Sequence, residues 1–136
     1  MIDRRRAGLV LAALVLTFVI VRTALAFSPD SDFDVAGYNI HHLFTGLLLI
    51  LIAGVPLAVS AGRNRWTDLA SIVFGCGLAL ALDEWVYLIA TDGSNASYLL
   101  PVSFWGGVIV VGVAALYLLV LWWAGGRSSG ERSPGA

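Results

Sequence analysis

The sequence predicts an all-α integral membrane protein, a four-helix bundle with N-terminus and C-terminus both cytoplasmic. Three observations predict it. Apolar residues come in four blocks, each about as long as the roughly 20 residues a helix needs to cross a bilayer. Turn-forming and charged residues collect between those blocks. Apart from Arg22, arginine is confined to the two ends of the chain and the middle connection. The overall balance agrees: 59% of the 136 residues are hydrophobic, 12% are charged and mean hydropathy is +0.87, well above an ordinary soluble domain.

The first span covers about residues 7–27, after Arg4, Arg5 and Arg6. With Ala24-Leu25-Ala26 near its end it has the outline of a secretory signal, but its apolar run is at the long end for one and reads as a retained span. The connection Ser28-Pro29-Asp30-Ser31-Asp32-Phe33-Asp34 leads to a second span, about 40–61, which Pro56 should loosen near its end by removing a backbone donor. A third span covers about 69–90 and a fourth about 99–124. Residues 1–126 thus form a single transmembrane domain, and 127–136 read as a flexible cytoplasmic tail. A β-barrel would instead show alternating segments of about 10 residues.

Orientation follows from the arginines, since the chain has no lysine. Arg4 to Arg6, Arg63 and Arg65, and Arg127 and Arg132 flank one side of the spans, whereas the other two connections hold Asp30, Asp32, Asp34 and Asp92. The arginine side is cytoplasmic by the positive-inside rule. A multi-pass protein of the cell membrane is therefore expected, with the lipid bilayer as its surroundings. The net charge of −1 gives no reason to expect nucleic acid. A single cysteine, Cys76, excludes disulfide exchange of the four-span oxidase type, which needs pairs. Asn95-Ala96-Ser97 fits a glycosylation acceptor and reads as a chance match.

Helices in lipid pack through small residues at spacing four. Ser71, Gly75 and Ala79 form such a stripe on span three, and Asp83 extends it into the bundle. Gly46 and Gly54 on span two, with Ser103 and Gly107 on span four, are the expected partners of that face. Trp66, Trp85, Trp105, Trp122 and Trp123, with Tyr38 and Tyr98, mostly fall near span ends and read as headgroup-level anchors. Gly- and Ser-bearing faces also make a homodimer, or docking in a larger membrane complex, an expectation.

Ionisable residues inside spans are costly and mark candidate sites. They are Arg22 on span one, His41 and His42 on span two, and Asp83 and Glu84 on span three. At about 1.5 Å per residue all five lie in the outer half of the bilayer. Thr45 is one turn from the histidines and Tyr87 one turn from the carboxylates, so both support the cluster. Neighbours on a helix point about 100° apart, so the two histidines should not face one point, nor should the two carboxylates.

Three chemistries are open. A structural network would pair Arg22 with Asp83 or Glu84 and leave the histidines hydrogen-bonded to the remainder. A metal site would take zinc or iron on one or both of His41 and His42 and one or both of Asp83 and Glu84, although tandem histidines lack the spacing of three or four that aligns two ligands on a helix face. Proton-coupled transport would use a buried carboxylate, but the small multidrug exporters of four spans carry their Glu on span one, where this chain has only Arg22. Bis-haem cytochromes need axial histidines on opposing helices. Histidine with carboxylate can do acid–base work, yet no Ser or Cys nucleophile is placed beside them, so no enzymatic reaction is assigned.

The run Ile40-His41-His42-Leu43-Phe44-Thr45-Gly46 and the run Phe74-Gly75-Cys76-Gly77-Leu78-Ala79-Leu80-Ala81-Leu82-Asp83-Glu84 resemble a group of small prokaryotic four-span membrane proteins of unassigned activity. Those proteins share His-His followed by Gly on span two and a Gly-rich run ending in Asp-Glu on span three. The resemblance covers about half of the chain, and Ser103-Phe104-Trp105 matches the group's fourth span only loosely. It implies that the membrane is a prokaryotic one and that the His-His and Asp-Glu pairs belong to one site, and it supplies no substrate. The expected function is thus a small membrane protein binding a metal or small ligand at an outer His/carboxylate site; the rivals are an accessory or assembly subunit held by an ion-pair network, and a proton-coupled transporter.

Overall fold

The computed structural model describes residues 2–27, 34–35, 38–39 and 41–130. Helix α1 spans Arg4–Phe27, α2 His42–Val59, α3 Arg65–Ala90, α4 Asn95–Tyr98 and α5 Pro101–Gly130, and between α1 and α2 the two-residue strands β1 (Asp34–Val35) and β2 (Tyr38–Asn39) pair antiparallel. Four helices, α1, α2, α3 and α5, are long and apolar enough to cross a membrane, which makes this a multi-pass helical bundle. The aspartates at 30 and 32 and the tail beyond 130 lie outside the described residues. The helix α5 itself continues to Gly130, so the first four residues read as flexible tail are helical.

Local chemistry fixes the helix ends. Asn64 and Thr67 form a reciprocal capping box that opens α3: Asn64 Oδ1 accepts from the Thr67 N–H at 2.9 Å, and Thr67 Oγ1 accepts from the Asn64 N–H at 3.1 Å. Asp68 in the first turn adds a negative charge at the positive helix end. The helix closes at Thr91, whose N–H bonds the Tyr87 carbonyl. Pro101 opens α5 at the first helical position, where a missing N–H is harmless. Pro56 lies in the last turn of α2, and the helix ends three residues later at Val59.

The third helix is the centre of the bundle. It packs against α1, α2 and α5; α1 and α5 also touch, and α2 packs chiefly on α3. Leu14, Ala79 and Val111 make the buried core of the three-helix side, with Phe18, Leu82 and Leu118 against them. Two different small-residue faces of α3 serve its neighbours. Gly75 meets α1 so closely that a Cβ there would lie 2.6 Å from the Val10 carbonyl oxygen. Gly77 and Ala81 meet α2, where a Cβ on Gly46 would lie 2.6 Å from both the Gly77 oxygen and the Ala81 nitrogen. The expected pairing of Gly46 with the Ser71-Gly75-Ala79 stripe is therefore corrected: α2 uses the neighbouring face, and the stripe faces α1, with Gly107 of α5 at its Asp83 end.

The bundle has two chemically distinct ends. Residues 2–6, the turn at 62–63 and residues 125–126 come together at one end, which gathers the arginines. The short hairpin, α4 and the polar residues of α2 and α3 lie at the other.

Candidate functional site

Asp83 and Glu84 follow one another on α3, so the helix turns them about 100° apart and gives each its own surroundings. Asp83, 1% exposed, faces α1 and α5. Its Oδ1 lies 2.6 Å from Arg22 Nε, and its Oδ2 accepts the Tyr98 hydroxyl proton. The rest of the Arg22 guanidinium is spent on backbone: Nη2 donates to the Ser103 carbonyl at 3.1 Å and to the Asp83 carbonyl at 3.4 Å, and Nη1 to the Tyr98 carbonyl at 3.5 Å. The Tyr98 oxygen is available because it ends α4, where carbonyls lack helical partners. The Tyr98 ring also lies 4.3 Å from the guanidinium carbon, close enough for a cation–π contact. Gly107 leaves the space for this pair, since a Cβ there would sit 2.9 Å from Arg22 Nη2.

Glu84, 3% exposed, faces α2. Its Oε2 accepts from the Leu43 N–H at 2.7 Å, and its Oε1 lies 3.2 Å from His42 Nδ1 and 3.6 Å from His41 Nδ1. The N-cap residue of α2, His41, makes no side-chain cap, and Glu84 takes over that task from the adjacent helix. A carboxylate there meets both an unpaired backbone donor and the positive end of the helix dipole.

The expectation that the histidines cannot face one point is corrected here. His41 precedes the helix with an extended backbone (φ −59°, ψ 142°), so the 100° rule does not apply to the pair and both rings reach the same oxygen. Their side chains stay 23% and 35% exposed, so this centre opens to the surface while that of Asp83 does not.

Tyr87 lies between the two centres. It is 2% exposed, its ring centroid is 5.9 Å from that of His41 and 5.3 Å edge-on from that of Tyr98, and its hydroxyl donates to the Ser94 carbonyl at 3.2 Å. Thr45 is exposed on α2 and is not brought into the cluster. Arg22 joins Asp83 and not Glu84.

The metal reading finds no support in the described residues. Among the described residues no group of three or more His, Cys, Asp or Glu side chains is arranged to hold a metal ion. Asp83 is turned away to a guanidinium and a phenol, and one Glu84 oxygen is occupied by a backbone N–H, so His41, His42, Asp83 and Glu84 do not share a coordination sphere.

Tyr98 and Ser103 are the parts of the site that the sequence concealed. Tyr98 reads as a headgroup anchor, and Ser103 contributes a backbone oxygen, for which a sequence carries no signal. The position of Tyr98 is set by the loop before it: Asp92 Oδ1 accepts from the Ser97 hydroxyl at 2.6 Å, the Ser94 hydroxyl at 2.8 Å and the Ser94 N–H at 3.0 Å. These bonds hold the Asp92 carboxyl down at about 2, so the loop stays tied at neutral pH. Burial, with Asp83 beside it, raises the Tyr98 phenol above its ordinary range and keeps it a donor.

Comparison with protein-family models, curated proteins and solved structures finds no match. Class is therefore defined by architecture alone: a multi-pass membrane protein with, among the described residues, four apolar helices and two buried carboxylates, one locked and one bordered by histidine.

Proposed function

We propose that this is a small protein of the prokaryotic cell membrane, with cytoplasmic termini, that binds a proton or a small polar ligand at Glu84, His41 and His42 near the outer surface. In this reading Arg22, Asp83 and Tyr98 form a lock that holds α1, α3 and α5 together, and the histidine side is where the molecule meets its surroundings. One observation carries the proposal: a carboxylate that is almost fully buried lies against two imidazoles that are themselves partly exposed. Histidine changes charge between about pH 5 and 8, and these are the only two in the chain. A charge change there acts directly on the carboxylate that caps α2, and so on the seam between α2 and α3.

The rival reading, an accessory or assembly subunit, is favoured by the 2.7 Å bond from the Leu43 N–H, which gives Glu84 a purely architectural task. Thermal unfolding in detergent from pH 5 to 8 separates the two. The proposal expects a melting temperature that moves with pH across this interval. Glu84→Gln, which keeps an acceptor for Leu43, should melt lower and lose most of that pH dependence. A wild-type melting temperature that is flat from pH 5 to 8 would overturn the proposal in favour of the rival.

A further inference from the structure

The opposite end of the bundle holds a cleft of about 500 Å³, within the range of small-molecule sites, formed by residues 2–6, the turn at 62–63 and residues 125–126. Four of its lining side chains are Arg4, Arg5, Arg6 and Arg63, and the one carboxylate among its lining residues is Asp3. That carboxylate is already engaged, since Asp3 Oδ1 accepts from the N–H groups of Arg5 and Arg6 at 3.0 and 3.2 Å. Arg5 is paired outside the cleft with Asp68 at 2.9 Å, and Arg6 donates to the Gly62 carbonyl. Arg4 lies over the Trp122 ring, 3.9 Å from its centroid, and neither Arg4 nor Arg63 has a carboxylate partner among the described residues. Arg6 Nε is buried there 3.5 Å from Asp3 Oδ2, so Arg6 is ion-paired with Asp3 without a hydrogen bond from Nε, and the cations left for a ligand are Arg4 and Arg63.

We infer that this cleft binds a phosphate-bearing anion. Guanidinium groups suit phosphate because their planar N–H forks match its oxygens, and a basic pocket between membrane helices at headgroup level meets anionic lipid as its nearest source. The lining lies at the helix ends, and the exposed Trp66 follows its residue Arg63 by three positions in the first turn of α3, which is where headgroups reside. The glycines at 62, 125 and 126 help to keep the cleft open by placing no side chain in it.

Native mass spectrometry of the detergent-solubilised full chain tests this with two probes: phosphatidylglycerol against phosphatidylcholine, and inorganic phosphate. The expected result is retention of phosphatidylglycerol over phosphatidylcholine, weakened about tenfold in Arg63→Gln and further in Arg4→Gln/Arg63→Gln, and unchanged in Arg65→Gln, which removes the same charge outside the cleft. Arg63 is exposed in a turn, so its single variant tests the site even if the double variant fails to fold. Displacement of the lipid by millimolar phosphate would retain the phosphate site and assign it a soluble source. Equal retention of the two lipids without phosphate binding, or equal losses in Arg63→Gln and Arg65→Gln, would overturn the inference.

Discussion

Arg22 shows how a membrane helix tolerates a permanent cation: every face of the guanidinium is matched, by the Asp83 carboxylate, by carbonyls of Tyr98 and Ser103, and by an aromatic ring. The pair is expected to stabilise only as a pair. Arg22→Met leaves Asp83 charged and buried and should cost about 3–5 kcal/mol, whereas Arg22→Met/Asp83→Leu removes both charges and should recover most of that loss. Thermal unfolding of these two variants and of Asp83→Leu alone checks it; a double variant as unstable as the sum of the singles would mean that the side chains act separately. Partnership between Arg22 and a carboxylate of α3 was legible from the sequence, because the groups lie at similar depth and intramembrane charges seek partners. The choice of Asp83 over Glu84 was not, since it depends on how α3 is rotated. Nor was Tyr98, whose position at a span end gives the same signal as an anchoring aromatic. The convergence of His41 and His42 depends on one extended residue at the helix start, and helix boundaries are the least readable feature of a sequence.

At the level of elements, α3 serves two neighbours with two glycine faces, and the closeness of each crossing makes it vulnerable. A Cβ on Gly46 would fall 2.6 Å from backbone atoms of α3, which cannot yield as a side chain can. Gly46→Ala should therefore destabilise by about 1–3 kcal/mol through overpacking, despite the better helix propensity of alanine. Gly112→Ala on α5, where a Cβ meets nothing within 4 Å, should be neutral or mildly stabilising. Melting temperatures in one detergent give both results, and equal effects would contradict the assigned α2–α3 seam. The number and approximate extent of the long helices were legible because hydrocarbon thickness sets span length. The α2–α3 seam was not, because Gly75 and Gly77 are both small and only the rotation of the helices tells which neighbour each receives. Helix α4 was also hidden: four residues are too few to show a period.

For the whole molecule, the arrangement of the connections makes a joint statement about sidedness. With four crossings, the start of α1, the α2–α3 turn and the end of α5 must share one side, and these segments do gather around the arginine cleft. The Asp92 loop and the histidine centre must then share the other. The positive-inside rule assigns the arginine end to the cytoplasm, and a cleft that attracts anionic headgroups would reinforce that choice through the negative surface of the inner leaflet. Single exposed positions test it: Ser60→Cys beside the α2–α3 turn and Ala96→Cys on α4, each made with Cys76→Ala so that no other thiol reacts. An impermeant maleimide added to intact cells should label Ala96→Cys and leave Ser60→Cys unlabelled until the membrane is broken. The reverse pattern would invert the molecule and put the histidine centre on the cytoplasmic side, and labelling of both positions from outside would break the four-crossing topology itself.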